Sequence, residues 1–326
     1  MSKLVTVYGG SGFVGRYIVR RLARDGWRVR VAVRRPNEAM HVTTYGVVGQ
    51  VAPVFCNIRN DDSVRAAAQG VDAVINCVGT FDAGGKNNFE AVQDKGAERV
   101  ARIAAEEGVT HLVQISAIGA DADSDSGYAR TKAQGEEAVI EHFPNAVILR
   151  PSVIFGAEDQ FFNRFAGMTR MSPVLPLVGA ETKFQPVYVD DVAAAAVAGV
   201  TGEAAPGIYE LGGPETATFR ELMKRMLETI HRRRMIVNIP FFVAAPMAAL
   251  MWVANFLTFG LVPMPITRDQ VKNLRRDNVV AEGARTFADL GIQPRSMEAI
   301  LPDYLWRFRP SGQYAAIKDS AKNLRT

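Results

Sequence analysis

The first 150 residues alternate between short apolar runs and longer stretches with a helical repeat. Six apolar runs have the length of strands: Leu4–Tyr8, Val29–Val33, Val51–Phe55, Ala73–Val78, His111–Ile115 and Ala146–Leu149. Between them, Val14, Ile18 and Leu22 recur at the spacing of one helix face, and residues 89–107 carry a broad apolar face. Apolar strands that alternate with helices are typical of a parallel sheet covered on both faces. We therefore expect an α/β fold built on a doubly wound parallel sheet.

Beyond residue 150 the alternation is less regular. The pattern predicts helices over Glu158–Met171 and over Val192–Val200, the latter capped by Asp190 or Asp191, and strands over Pro186–Val189 and Gly207–Leu211. A further helix is expected from Thr218 through His231, with Glu221 completing a capping box. We expect a first domain over 1–155 to which segments such as 184–200 return, a smaller and partly apolar second lobe over 156–310, and a basic tail over 311–326.

Composition excludes several classes of protein. With 326 residues, of which 48% are hydrophobic and 22% charged, the chain can bury a large core, which excludes a disordered or fibrous protein. A net charge of +4 is too small to indicate nucleic-acid binding. The two cysteines, Cys56 and Cys77, form neither a disulfide framework nor a zinc cluster, so we expect a reducing compartment and no metal site. Residues 1–3 run directly into the first strand, and we expect no export or organelle leader.

A glycine-rich turn follows the first predicted strand. Gly9, Gly12 and Gly15 have the spacing G-x-x-G-x-x-G, and Phe13 and Val14 lie inside it where the first helix opens. Such glycines allow a tight turn and let a pyrophosphate approach the backbone, and the N–H groups at the helix start then bind the phosphates. This context indicates a dinucleotide site.

The end of the second predicted strand indicates which dinucleotide binds. Arg34 and Arg35 stand where NAD-binding chains usually carry an acidic residue for the ribose 2′-hydroxyl. Arginine recognises a 2′-phosphate through charge-assisted hydrogen bonds, so NADPH is favoured over NADH, and an ordinary solvated arginine pair is the alternative. From their positions in the sheet we expect Asn57 and Ile58 to meet the adenine, and residues 76–79, with Gly79, to line the ribose and pyrophosphate.

A tyrosine and a lysine lie one helical turn apart after the fifth predicted strand. Tyr128 and Lys132 have i, i+4 spacing, which places both side chains on one helix face. An ammonium group lowers the pKa of a nearby phenol, which suits a general acid for carbonyl reduction, and it can also hold the nicotinamide ribose. Ser116, at the end of the fifth strand, would orient a carbonyl. The alternative is an exposed helix face without chemistry.

Together these motifs resemble the short-chain dehydrogenase/reductase superfamily of the extended or atypical kind. The phrases 114–119, 128–136, 149–156 and 184–193 are similar, more narrowly, to the NADPH-binding accessory subunits of respiratory complex I, NADH:ubiquinone oxidoreductase, over about residues 3–305. The resemblance implies a Rossmann-type subunit with Pro151 also at the cofactor. It implies a structural NADPH and a role in assembly and stability at the junction of the peripheral and membrane arms. The alternative is a soluble NADPH-dependent reductase or epimerase that uses Ser116, Tyr128 and Lys132.

The longest uncharged stretch covers residues 235–267. Charge is unevenly spread, with 17 Lys and Arg against 12 Asp and Glu in 201–326, but 21 against 22 in 1–200. Prolines leave only 247–262 as an uninterrupted apolar run, too short for a clean membrane span. Arginines flank the stretch on both sides, so we expect it to meet a membrane surface or lipid; the core of the second lobe or a homodimer helix is the alternative. We expect a peripheral protein on the cytoplasmic face of a bacterial inner membrane, or on the matrix side in a mitochondrion.

Overall fold

The computed structural model describes residues 3–80, 84–244 and 268–314. Its strands are β1 (Leu4–Tyr8), β2 (Arg28–Val33), β3 (Val51–Phe55), β4 (Ala73–Asn76), β5 (His111–Ile115), β6 (Val147–Pro151), β7 (Ile154–Phe155), β8 (Val174–Val178), β9 (Lys183–Phe184), β10 (Val187–Tyr188), β11 (Gly207–Leu211), β12 (Ala217–Thr218) and β13 (Met235–Ile239). Its α-helices are α1 (Phe13–Arg24), α2 (Asp61–Ala68), α3 (Lys95–Glu106), α4 (Gly127–His142), α5 (Phe162–Met171), α6 (Val189–Thr201), α7 (Phe219–Thr229), α8 (Arg268–Asn273) and α9 (Met297–Leu305).

Seven strands form one parallel sheet in the order β3-β2-β1-β4-β5-β6-β11. Helices α2, α3 and α4 pack on one face of this sheet, and α1 and α6 pack against each other, with α6 also contacting β4, β5 and β6. Because the strands are covered on both sides, their residues are apolar without alternation. The predicted α/β fold with a doubly wound parallel sheet is confirmed.

The chain divides into two compact units. One combines the described residues of Met1–Ser152, Val189–Gly212 and Val280–Pro294; the other combines those of Val153–Tyr188, Gly213–Val279 and Arg295–Thr326. The core of the second unit contains a cluster of aromatic rings from α5, α7 and the neighbouring segments: Phe161, Phe162, Phe165, Phe184 and Phe219.

Two helices begin at residues that differ from the expected ones. The predicted start of α5 at Glu158 is wrong, because the buried Asp159 carboxylate accepts hydrogen bonds from the N–H groups of Gly156, Phe161 and Asn163 and holds a loop there. The prediction that Asp190 or Asp191 caps α6 is also wrong, since α6 already begins at Val189.

Asp190 lies instead in the first turn of α6, where its carboxylate binds the Arg21 guanidinium of α1 in a bidentate pair at 2.8 Å. Negative charge in a first turn also interacts favourably with the helix dipole. In contrast, the predicted capping box of Thr218 and Glu221 is confirmed, although α7 ends at Thr229 rather than at His231.

The uncharged stretch is described only in part. Met235–Ile239 forms β13, which pairs in parallel with β8, and residues 241–244 are helical. The apolar run over 247–262 and most of the basic tail lie outside the described residues. Among the residues that are described, no helix is long and apolar enough to cross a membrane.

Two helical glycines predict opposite effects of the same substitution. A Cβ atom at Gly135 of α4 would lie 2.2 Å from the backbone oxygen of Gln93, whereas one at Gly167 of α5 would find its nearest neighbour at 3.9 Å. Gly135→Ala should therefore lower the free energy of unfolding by about 1–3 kcal/mol through overpacking. Gly167→Ala should raise it by up to about 1 kcal/mol, because alanine favours a helix. Urea titrations of both variants measure this, and equal changes would contradict the described packing.

Candidate dinucleotide-binding site

The glycine loop after β1 is tightly folded on itself. The Gly9 N–H donates to the carbonyl of Ala32 in β2 at 2.9 Å, and the Gly12 N–H donates to the Gly9 carbonyl at 2.9 Å. Gly9 has a φ of +74°, a conformation that glycine adopts without steric cost. A Cβ atom at Gly15 would lie 2.4 Å from the Gly9 oxygen, so any side chain there would force the loop apart. The predicted glycines therefore shape one cradle of bare backbone.

The cradle ends at the start of α1. Gly12 precedes the helix in an extended conformation, and the first turn contains Phe13, Val14 and Gly15 and no acidic residue. The first N–H groups of a helix have no acceptor within the helix and carry its partial positive charge. They are suited to bind a pyrophosphate. This cradle fits the phosphates of a dinucleotide.

Arg16 adds a positive charge that the sequence reasoning missed. Its guanidinium donates to the carbonyls of Ser11 and Gly12, each at 3.2 Å, and so stiffens the loop from the side. The signal was available, since Arg16 directly follows the third glycine of the motif.

The loops after β1 and β4 meet at the point where the sheet order reverses. A Cβ atom at Gly9 would lie 3.2–3.3 Å from Val78 and Cys77, the residues that follow β4. Asn76 fixes this second loop, because its side-chain oxygen accepts the Val78 N–H and its amide donates to Gln114 of β5. In open parallel sheets, ligands bind in the crevice at such a switch point. Gly79 follows on this second loop.

The carboxyl end of β2 is positively charged. Arg34 is exposed and forms no hydrogen bond or ion pair with the described residues, whereas Arg35 pairs with Glu38 at 3.0 Å. Both members of that pair are more than two-thirds exposed, and such surface pairs contribute little energy. Arg34 is therefore available for an anionic ligand, and Arg35 can exchange its partner at small cost.

The two residues predicted at the adenine differ in their surroundings. The Asn57 N–H donates to the Ser63 hydroxyl, and its side-chain oxygen accepts the Arg59 N–H, so Asn57 shapes the loop after β3. Ile58 is buried in the core cluster beside α3. Both residues thus determine the course of this loop at the carboxyl edge of the sheet.

Tyr128 and Lys132 lie together on α4, as their spacing predicts. The Lys132 ammonium lies 6.0 Å from the centroid of the Tyr128 ring and donates to the Ile115 carbonyl at 3.2 Å. A Cβ atom at Gly79 would lie 3.9 Å from the same ammonium nitrogen. Tyr128 also makes an edge-to-face contact with Phe89, at 5.9 Å between ring centroids. The structure thus brings Gly79, Tyr128 and Lys132 to one place.

Burial controls the charge of Lys132. The side chain is 7% exposed, and burial lowers the pKa of Lys132 to about 8, against the opposing influence of Glu136 and Cys77. The ammonium is therefore charged at neutral pH and loses its proton within the weakly alkaline range.

Ser116 is engaged in a buried ionic network. Its hydroxyl donates to the Glu136 carboxylate, which also binds the Arg150 guanidinium at 2.6 Å. Arg150 in turn lies 3.6 Å from Glu210 of β11. Ser116, Glu136 and Glu210 are each at most 9% exposed. The Ser116 proton is thus directed at a carboxylate inside the protein.

Glu136 and Arg150 are site residues that the sequence reasoning missed. Glu136 follows Lys132 by four residues, and this i, i+4 spacing places it on the same helix face as Tyr128 and Lys132. Pro151, at the end of β6, is buried, and its carbonyl accepts the Ile118 N–H at 3.0 Å, which anchors the loop that follows Ser116.

Over the described ranges, no group of three or more His, Cys, Asp and Glu side chains is arranged to hold a metal ion.

Comparison with known proteins places the chain in a family. Residues 5–212 match the NAD dependent epimerase/dehydratase family. The chain is 36% identical to NADH dehydrogenase (ubiquinone) 1 alpha subcomplex subunit 9, mitochondrial, of Arabidopsis thaliana, over 95% of this chain and 79% of that protein. It is 33% identical to the NADH-ubiquinone oxidoreductase 40 kDa subunit, mitochondrial, of Neurospora crassa, over 95% of this chain and 80% of that protein.

A solved structure shares the fold. The NADPH-dependent quinone oxidoreductase QOR2 of Escherichia coli, in complex with NADPH, superposes with a TM-score of 0.69 at 17% identity, over 92% of this chain and 98% of that one. The family description and the cradle both indicate a nicotinamide cofactor. The chain thus belongs to the NAD dependent epimerase/dehydratase family and, within it, to the family of respiratory complex I subunits that its two relatives represent.

Proposed function

We propose that the chain is a non-catalytic, NADPH-binding accessory subunit that supports the assembly and stability of respiratory complex I at the junction of its peripheral and membrane arms. The observation that carries this proposal is the similarity to complex I subunits along 95% of the chain. The intact glycine cradle adds that the chain has kept the means to bind a dinucleotide.

The residues of the first unit divide the work of holding NADPH. The first turn of α1 and Arg16 bind the pyrophosphate, and Arg34, assisted by Arg35, binds the 2′-phosphate through charge-assisted hydrogen bonds. The loop of Asn57 and Ile58 faces the adenine. Gly79, Tyr128 and Lys132 bind the nicotinamide ribose. Pro151 and Ser116 line the site at the end that holds the nicotinamide. A nicotinamide dinucleotide supplies hydride chemistry when bound. In the proposed role its effect is to stabilise the fold, because a ligand that binds only the folded state raises the free energy of unfolding.

The buried network around Ser116 supports a non-catalytic role. A serine that orients a substrate carbonyl must offer it the hydroxyl proton. Here that proton is donated to Glu136, whose carboxylate is held in turn by Arg150. Moving the proton toward a substrate would break a hydrogen bond to a buried, charged carboxylate, which costs about 1.5–3 kcal/mol.

The partners of the chain in this proposal are other complex I subunits and the membrane surface. The attachment is peripheral, on the side that carries the peripheral arm. That side is the cytoplasmic face of the inner membrane in a bacterium, and the matrix side in a mitochondrion. Two exposed apolar side chains of the second unit, Met235 and Phe242, support the contact with lipid.

A free-standing reductase or epimerase is the alternative function. It would use Tyr128 as the proton donor, Lys132 to lower the tyrosine pKa and Ser116 to orient the carbonyl. The relatives named as complex I subunits favour the accessory role over this alternative.

The 2′-phosphate assignment predicts a selective loss of NADPH. In the double variant Arg34→Asp/Arg35→Ala the dissociation constant for NADPH should rise roughly a hundredfold, because two charge-assisted hydrogen bonds are replaced by repulsion. The control Arg24→Asp/Arg28→Ala makes the same charge change at two exposed arginines of the same unit. Titration with NADPH and NADH, and the nucleotide content after purification, measure the effect. Unchanged NADPH content in the first variant would refute the assignment.

The low pKa of Lys132, about 8, predicts that nucleotide binding depends on pH. Between pH 7 and 9.5 the affinity for NADPH should fall about five- to tenfold, because the ammonium that donates to the ribose loses its charge. Lys132→Arg, which stays charged, should lack this fall. The stability of the fold without nucleotide should instead rise with pH. The unfolded chain holds the lysine proton up to about pH 10, so the empty fold gains stability between pH 8 and 10. Parallel pH profiles of binding and urea unfolding test both statements, and a flat wild-type binding profile would contradict the first.

The non-catalytic role predicts that the tyrosine hydroxyl is dispensable for electron transfer. Tyr128→Phe should leave quinone reduction per assembled complex I within about twofold of the wild type, since no proton transfer from this hydroxyl limits turnover. Gly15→Val, which fills the cradle, should instead lower the amount of assembled complex. Activity in native membranes, normalised to assembled complex on a native gel, separates the two effects. A collapse of quinone reduction in Tyr128→Phe with normal assembly would rule out the non-catalytic role.

A further inference from the structure

The second unit contains a basic pocket that the proposed function leaves unused. It has a volume of about 690 Å³ and lies between α7, the turn that follows it and β13. We call it the arginine pocket. Its charged lining consists of Arg220, Lys224, Glu228, Arg232, Arg233 and Arg234. Five of these six side chains are positively charged, so the pocket attracts an anion.

The local backbone explains why so many cations share one pocket. Arg220, Lys224 and Glu228 recur every four residues and therefore lie on one face of α7. His231 then adopts a φ of +54°, a left-handed conformation that is rare for residues other than glycine. The chain turns at this residue and leads through residues 232–234 into β13, so both ends of the turn contribute cations.

Most of the positive charge in the arginine pocket is not neutralised. Arg220 pairs with the largely exposed Glu181. Arg232 and Arg234 donate to the backbone carbonyls of Phe308 and Thr169, which fixes their position but leaves their charge in place. Such anchored guanidinium groups form a preorganised site for a phosphate.

The two remaining cations are free to bind. Within the described part of the chain, Lys224 and Arg233 form no side-chain hydrogen bond or ion pair. Repulsion inside the cluster is also evident, because burial, followed by the charges of Arg234 and Arg170, lowers the pKa of Arg232. A bound anion would relieve this repulsion.

Exposed apolar side chains occur along the segment that leads away from the pocket. Met235, which directly follows Arg234, is 63% exposed, and after β13 Phe242 is 79% and Val243 42% exposed. A free phosphate ion or a nucleotide would not bury these apolar side chains. An amphiphile with an anionic headgroup and acyl chains would match both the basic pocket and the exposed apolar side chains.

We propose that the arginine pocket binds the phosphate of an anionic phospholipid headgroup, while Met235 and Phe242 lie against its acyl chains. This site gives the membrane contact of the proposed function a chemical identity. The lipid proposal depends on the proposed function only for the presence of a membrane near the chain, since all residues of the pocket belong to the second unit.

The test measures binding of the full chain to lipid vesicles. Wild-type protein should co-sediment with vesicles that contain 30% phosphatidylglycerol in phosphatidylcholine, and much less with pure phosphatidylcholine. Lys224→Ala/Arg233→Ala should weaken this binding about thirtyfold, since each basic residue near an anionic surface contributes about 1 kcal/mol and 1.4 kcal/mol is a factor of ten. The matched control Arg24→Ala/Arg28→Ala removes two charges that do not belong to the arginine pocket and should weaken binding by at most about threefold, because only the loss of net charge acts there and salt screens it.

Two further experiments show whether the bound phosphate belongs to a lipid or is a free ion. Phe242→Ser should weaken binding to vesicles but leave binding of water-soluble glycerol phosphate unchanged, because only the bilayer offers acyl chains. Inorganic phosphate at 10 mM should not release the protein from vesicles. Release by inorganic phosphate, or equal vesicle binding by Phe242→Ser, would show a site for a free phosphate ion and overturn the lipid proposal.

Other outcomes also decide the proposal. Equal loss in both double variants would show that binding follows the net charge rather than the pocket. If wild-type protein does not prefer anionic vesicles, but Lys224→Ala/Arg233→Ala fails to join complex I, the pocket binds an acidic partner protein instead. Both results overturn the lipid proposal. The vesicle assays require neither NADPH nor complex I, so their failure leaves the proposed function standing, and unfolding curves of each variant verify the fold.

Discussion

The site depends on the close approach of bare backbone at the centre of the sheet. The chain must turn sharply after β1, pass against the loop after β4 and enter α1, all within seven residues. Side chains would fill this space: at Gly15 a Cβ atom would lie 2.4 Å from the Gly9 oxygen, and at Gly9 it would press on Val78. Since the helix start and the switch point coincide here, the backbone alone forms the proposed phosphate site.

Charge is arranged differently at the two ends of this dinucleotide site. At the β2 end, Arg34 and Arg35 are exposed and poorly paired, so they can exchange water for a phosphate at little cost. At the β5 end, Ser116, Glu136 and Arg150 form a buried network in which the donors and acceptors are already matched. Removing one partner of such a network is expensive, which favours a fixed structure over proton transfer. The same fold can therefore hold a cofactor firmly without using it.

Local pattern predicted the elements, whereas contacts between distant residues decided where some of them begin. The strands of the sheet and the glycine turn follow from apolar runs and from residues that permit a positive φ. Arg21 cannot be linked to Asp190 from their positions 169 residues apart, so the sequence suggests a helix cap where the structure has an ion pair in the first turn of α6. Glu136 was recognisable by its spacing, but its bond to Arg150 depends on the packing of α4 against β6. The run of arginines at 232–234 is visible in the sequence, but its shared pocket with α7 depends on one left-handed turn at His231.

The central claim is that a phosphorylated dinucleotide is held as a structural component of a subunit within complex I. Native mass spectrometry of the chain, extracted from its own membranes in mild detergent, tests this most directly. The account predicts that the chain is recovered with other complex I subunits and with one NADPH, which stays bound through washing and is not consumed when carbonyl substrates are added. A monomer without partner subunits, or a complex I subunit that contains no nucleotide, would contradict it.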